Sequence, residues 1–239
     1  PPPPWVVNAL VPLVRAAAGE LARQDLDPTI ELHPTFGATK QIDKVVDENT
    51  VITKDGFTHS VDTPDITKSR KDTDEEKGCL DGELKSSMVW YGPMQDNHAT
   101  GVVACLSKFR GAATREAYPE LTGYDAECEL AKAHGHLLAH CLGGLDIREN
   151  FVPINQNSAN VSQMWHGVEK QIKKALEKDE TIYYQVIPHF PDDPAMIEHY
   201  GVGVPDYIDI YAKGNKGFEC EAKVHNVTTK IPSYKGCRQ

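Results

Sequence analysis

One apolar pattern limits what this chain can build. Between residues 159 and 178, Val161, Met164, Trp165, Val168, Ile172 and Leu176 recur at spacings of three and four, which predicts an amphipathic helix of about five turns. The runs before it, 87–91 and 101–109, and those after it, 181–187, 206–212 and 218–224, have the β-branched and aromatic character of strands. In the last of these, Phe218, Cys220, Ala222 and Val224 fall on one face and Glu219, Glu221 and Lys223 on the other, as in a half-buried strand. A single long helix set between groups of strands suits an α+β domain with an antiparallel sheet better than alternating βαβ units.

The first part of the chain has a different texture. Pro1 to Pro4 read as an extended lead-in, and residues 5–24 as an amphipathic helix. Residues 25–82 are rich in Asp, Lys and Thr, and the charged run 62–77 reads as exposed loop or partial disorder. This shift places a domain boundary near residue 82, between an N-terminal helix with a charged, loop-rich extension (1–82) and the main domain (83–239). No stretch reaches the ~18 apolar residues of a membrane-spanning helix.

Cys79, Cys105, Cys128, Cys141, Cys220 and Cys237 include no C-x-x-C pair, which argues against a zinc ribbon, and an even count suits an oxidised, exported protein. The net charge of −10 argues against nucleic-acid binding in general, since phosphate contacts need Lys and Arg. Residues 100–175, however, carry eight basic and eight acidic side chains together with four histidines, so a basic cleft can form there.

That stretch holds the densest chemistry: Ala133-His134-Gly135-His136-Leu137-Leu138-Ala139-His140, then Leu142-Gly143-Gly144, Asn150-Phe151-Val152-Pro153, Asn157, Asn160, Trp165 and Glu169. An imidazole titrates near neutrality, so His136 can take a proton from water, and Gly135 lets the backbone turn and approach a phosphate. His136 and His140 are four apart, as in a helical metal pair, and with Cys141 they define an alternative, a zinc-dependent hydrolase. Plainer roles stand beside these. His140 and Trp165 read as packing residues, Asn150 as a loop anchor bonding backbone near the motif, Gly143-Gly144 as a turn, His166 as solvated, and Glu169 as a partner for Lys173 at i,i+4.

The order of these residues resembles the DNA/RNA non-specific endonuclease family of the ββα-metal superfamily, in particular its toxin-type nuclease domains, whose pattern runs G-H-L-[IL]-A, L-G-G, N-[LF]-V-P, N, W, E. The segment Ile182-Tyr183-Tyr184-Gln185-Val186-Ile187-Pro188 resembles the strand that follows in that branch, and the likeness spans roughly residues 85–228. The resemblance implies a ββα-metal core with a long helix carrying metal-site residues. It also implies hydrolysis of phosphodiester bonds in DNA, RNA or both, with His136 as general base. One Mg²⁺, or Mn²⁺, is implied on an Asn, matched by Asn160 with Asn157 as the alternative, and Glu169 holds a water of that ion. An Arg leans on the scissile phosphate, and Arg110 is preferred to Arg115. The branch further implies a secreted toxin or extracellular nuclease, and for a toxin a cognate immunity or inhibitor protein.

The sequence departs from the family in two places. The usual Asp-Arg-Gly-His is replaced at its first two positions by Ala133 and His134; His134 can donate to a phosphate but cannot fork as Arg does. That departure keeps open a degenerate, non-cutting nucleic-acid-binding module. Asn160 and Glu169 are nine residues apart, about 900° around an α-helix, which puts them on opposite faces. Either Asn160 precedes the first helical turn, or the helix bulges, or Asn157 is the ligand. Asn160-Val161-Ser162 and Asn226-Val227-Thr228 are glycosylation sequons; a glycan on Asn160 blocks such a site, which favours a bacterial source.

Overall fold

The computed structural model of the protein describes residues 30–37, 39–84, 87–111 and 115–237; the helix expected over 5–24 lies outside them. The strands are β1 (Ile42–Asp47), β2 (Thr50–Thr53), β3 (Thr58–Ser60), β4 (Met88–Tyr91), β5 (Val102–Leu106), β6 (Ala133–His136), β7 (Phe151–Ile154), β8 (Ile182–His189), β9 (Tyr207–Gly214) and β10 (Glu219–His225). Eight form one sheet in the order β1-β2-β3-β4-β5-β8-β9-β10, and each neighbouring pair is antiparallel except β3 with β4. β6 and β7 make a separate antiparallel ribbon, and the helical stretch Gln156–Glu169 leaves β7 at once and continues as an α-helix over Lys170–Leu176. The domain is α+β, and this ribbon-plus-helix is a ββα unit.

The middle of the sheet is buried on both faces, so β4 and β5 read as unbroken apolar runs. Val89, Tyr91, Val102, Ala104 and Leu106 face the main core, which they share with Met164, Val168, Ile172 and Leu176 of the helical stretch. Their neighbours Met88, Trp90, Val103 and Cys105 face a smaller core closed by helix α1 (Asp74–Leu80). A disulfide joins Cys79 of α1 to Cys105 of β5, and a second joins Cys220 of β10 to Cys237. Cys128 and Cys141 are thiols. At the sheet edge β10 alternates strictly between exposed and buried, as its sequence predicts.

Three expectations change. The strands β1–β3 join the main sheet through the parallel β3–β4 pair, so the boundary expected near residue 82 crosses a continuous sheet. Their short, Thr- and Lys-containing segments hide strand character behind a polar composition. The charged run 62–77 is partly helical. Thr73 Oγ1 accepts from Glu76 N at 3.3 Å, and Asp74, Glu75 and Glu76 occupy the first turn of α1, where the helix dipole favours acids.

The long helix is not α-helical over most of its length. Gln156–Glu169 is π-helical: the Asn160 N–H bonds to Asn155 O, five residues back. Asn155 Oδ1 caps this end by accepting from Ser158 N at 2.7 Å. The Gln163 amide bonds both backbone groups of His225, at 2.7 and 2.8 Å, and so fastens the helix to the end of β10. The wider turn swings Val161 out of the apolar stripe to the surface. Asn226 is buried, with its Nδ2 donating to Leu130 O and Pro205 O, which closes the second sequon to a glycan in the folded chain.

Candidate active site

Successive side chains alternate along a strand, so His134 and His136 share one face of β6 with Gly135 between them. A Cβ on Gly135 collides with Ile154 across the ribbon. This glycine therefore serves close packing, and the turn expected of it is not needed, because its backbone has no left-handed φ. The His136 ring lies against Phe151, centroids 4.3 Å apart.

The loop from β6 to β7 carries the other half of the site, and buried polar side chains hold it. Asn150 is fully buried; its Oδ1 accepts from Leu138 N at 2.9 Å, and its Nδ2 donates to Leu138 O and Leu145 O. Tyr184 donates its hydroxyl to Leu137 O at 2.8 Å, and Tyr91 accepts from Leu145 N at 3.1 Å. Gly143 takes a left-handed φ of 112° and ends the short turn His140–Leu142, as the Gly-Gly pair predicts.

This scaffold brings Asp146 under His136. Asp146 Oδ1 lies 2.9 Å from His136 Nε2 and 3.6 Å from His140 Nδ1, while its Oδ2 accepts from Glu116 N at 3.0 Å. Burial alone raises the Asp146 carboxyl, but the hydrogen bonds from His136, His140 and Glu116 outweigh it and hold the group well below the usual carboxylate range. For His136 burial is the larger influence and lowers its pKa against the upward pull of Asp146. An ionised Asp146 can only accept, so His136 Nε2 carries the proton and Nδ1 keeps its lone pair. Nothing in the sequence singles out Asp146: the loop has no period, and ten residues of separation say nothing about proximity.

His134, His136, His140, Asn160 and Glu169 line one cleft of about 780 Å³, together with Arg115 and Lys132. Burial, with no compensating partner, pushes Glu169 up to about 8. Among the described residues no hydrogen bond or ion pair reaches its carboxylate; Lys173 pairs with Glu177 at 3.7 Å instead. Asn160 Nδ2 donates to Gln156 Oε1 at 3.1 Å. The expected alternative Asn157 is exposed and lies outside the cleft lining. Trp165 is only half-buried and lines the cleft, where the sequence suggests plain packing, while His166 is exposed as expected.

His134 is clasped between two tyrosines, with Tyr118 stacked at 4.8 Å and Tyr124 tilted at 4.2 Å, and burial lowers its pKa. Arg110 is not in the cleft lining. Its guanidinium is buried, pairs with Asp55 at 2.5 Å and donates to His140 O and Gly144 O. That fork is spent on the loop, so Arg110 braces the site from behind and leaves Arg115, bonded to Tyr118 Oη at 3.0 Å, as the arginine facing the cleft.

Two groupings can receive a cation. The buried carboxyl of Glu169 and the Asn160 carboxamide, which line the same cleft, offer oxygens of the kind that suit a hard divalent ion. His136, His140 and Asp146 form a nitrogen-rich set, all three ligand atoms within 4.8 Å of one another. Cys141, the third member of the zinc trio suggested by sequence, does not join that set, and burial pushes its thiol up to about 11.

Residues 95–203, which contain the ribbon and the whole helical stretch, match the DNA/RNA non-specific endonuclease family. The chain carries a DNA/RNA non-specific endonuclease domain. Among solved structures the endonuclease is similar to NucA from Streptococcus agalactiae with a magnesium ion bound, at 18% identity and a TM-score of 0.46, over 62% of this chain and 72% of that one. It is also similar to the Sda1 nuclease with a bound zinc ion, at 16% identity and a TM-score of 0.45, over 63% and 79% of the two chains. An extracellular endonuclease matches at 17% identity and a TM-score of 0.39, over 62% and 74%. No curated protein matches the sequence.

Proposed function

We propose that this endonuclease is a secreted, Mg²⁺-dependent enzyme that cuts DNA, RNA or both with little sequence preference, with His136 Nδ1 as the general base. The observation that carries the reading is the convergence of His136, Asn160 and Glu169 on one cleft, with Asp146 fixing the imidazole tautomer. Asn160 and Glu169 would hold the ion, Asn160 directly and Glu169 through water. When bound, the ion supplies charge relief to the phosphate and to the departing 3′ oxygen. His136 Nδ1 takes the proton of the attacking water, and Asp146 stabilises the imidazolium that forms. Arg115 takes the role of the phosphate-facing arginine, and His134, held by its tyrosine clasp and its bond to the Pro119 backbone, lines the cleft beside it and would donate to a phosphate in its protonated form.

Two disulfides support an oxidising destination outside the cell. The toxin branch of the resemblance supports an antibacterial role and a cognate immunity protein, for which a co-expression screen for a neutralising protein is the test. Plasmid nicking with Mg²⁺ or Mn²⁺, with and without chelator, tests the enzyme itself. Cutting that needs the ion and vanishes in His136→Ala supports the mechanism; cutting that persists in that variant, with contamination excluded, removes it.

A further inference from the structure

His136, His140 and Asp146 have a geometry beyond that of a hydrogen-bonded dyad. Zinc in a tetrahedral site sits about 2.0–2.1 Å from His nitrogen and carboxylate oxygen, which places neighbouring ligand atoms roughly 3.3 Å apart. Asp146 Oδ1 lies 2.9 Å from His136 Nε2 and 3.6 Å from His140 Nδ1, on either side of that edge length, and all three atoms lie within 4.8 Å. The ligands are also held from outside. Asp146 Oδ2 is fixed by Glu116 N at 3.0 Å, and the His140 carbonyl is bonded by the buried Arg110. Both imidazoles line the cleft, which gives an ion a way to them, and Asp146 lies buried beneath.

We propose that His136, His140 and Asp146 form a second, inhibitory metal site, selective for zinc-like transition ions and distinct from the Asn160–Glu169 oxygen set. Two imidazoles and one carboxylate suit Zn²⁺, whereas Mg²⁺ demands oxygen ligands and near-octahedral geometry. The inhibition rests on the reading of His136 as general base and follows from its tautomer. A neutral imidazole has one N–H. With Asp146 accepting from Nε2, Nδ1 holds the lone pair; with zinc taking the Nε2 lone pair, the proton moves to Nδ1 and the base is lost. Free zinc would thus switch the endonuclease off while the Mg²⁺ site stays filled.

The test uses the whole chain, with zinc added in excess Mg²⁺. Zinc is measured by competition with a chromophoric chelator, its ligands by X-ray absorption, and plasmid nicking is scored relative to each variant's own zinc-free rate. The expected result is one zinc per chain with two imidazole ligands, retained in Asn160→Ala and weakened roughly 100-fold or more in both His140→Ala and His140→Gln. Nicking by the wild type is abolished as zinc saturates, and the His140 variants resist it. The proposal is overturned if no zinc binds, if the His140 variants bind it as well as wild type, if Asn160→Ala loses it, or if zinc alone supports cutting. Zinc held through His140 in a chain that does not cut with Mg²⁺ upholds the site and removes the nuclease reading instead.

Discussion

Asn160 and Glu169, nine residues apart in sequence, line the same cleft. An α-helix puts such a pair on opposite faces, but i→i+5 winding takes roughly 4.4 residues per turn, so nine residues make about two turns and return to the starting face. Gln156–Glu169 is wound in this way. The π-helix thus reconciles the unusual spacing with a shared site, and it does so where its ends are pinned, by Asn155 at the start and by the Cys237 N–H bonded to Gly167 O at 2.8 Å near the end.

Under the proposed mechanism, Glu169 makes ion binding a proton-release event. Its folded pKa of about 8 lies above the ordinary 4.5, so at neutral pH the ion-free protein holds a proton there that a divalent cation must expel. Calorimetry at pH 7 in buffers of different ionisation enthalpy will show release of about one proton per Mg²⁺, and Glu169→Gln will abolish it. Between 4.5 and 8 the folded state binds more protons than the unfolded one, so the stability due to this group is complete below the lower value and is lost as pH rises through the upper one. The Tm of the ion-free protein will fall across that window, and the Glu169→Gln variant will lack this component.

Asp146→Asn tests the tautomer. An amide can donate to His136 Nε2 and leave the proton on Nδ1, the wrong nitrogen for a base. The expected loss in kcat is about 10²–10⁴-fold with little change in KM. In the wild type, kcat/KM will rise with pH through a value below 6.5, because burial lowers the His136 pKa. Removing the Asp146 charge takes away an upward pull on His136, so the residual activity of the variant will show this limb at lower pH. An unshifted limb and near-normal kcat would sink the dyad.

Arg110 and Arg115 will separate cleanly. Arg110→Ala strands Asp55, leaves Gly144 O without its side-chain donor and takes from His140 O one of its two donors, the other being Gly143 N; it will cost roughly 3 kcal/mol in denaturant unfolding. Arg115→Ala removes an exposed side chain, so stability will stay within about 0.5 kcal/mol while kcat/KM falls about 10²-fold.

Local patterns carried much of the fold, and the long-range pairings did not show. The strands of the main domain and the motif around His136 are legible because alternation and residue order are local. Asn150 is legible too, as a buried amide at the end of an irregular loop, and the structure gives it the backbone bonds expected. The membership of β1–β3 in the main sheet rests on one parallel pairing between distant segments, which no local period encodes. Arg110 shows the limit at the site: sequence offers two arginines near the motif, and only the partner Asp55, from a segment far upstream, decides which one is engaged behind the loop. The π winding is equally hidden, since the apolar spacings of three and four fit an α-helix and the bonds of Gln163 to His225 come from across the fold.

The C-terminal tail is tied to the helical stretch. Tyr234 packs on Gly167, where a Cβ would meet its ring, and Cys237 both bonds Gly167 O and forms the disulfide to Cys220 on β10. Glu169 sits two residues beyond that contact, so the tail braces the helix at the end that carries the proposed ion-holding carboxyl. Cys237→Ser, or selective reduction of this bridge, frees the brace and leaves Cys79–Cys105 to hold the sheet to α1. Hydrogen exchange will quicken over 156–169 while the β4–β5 amides stay protected, and the Mg²⁺ concentration for half-maximal nicking will rise about 10-fold, the lower end of the range for losing groups that support a metal ligand. Exchange that quickens evenly across the sheet would show that the bridge stabilises the domain as a whole and has no particular hold on the site.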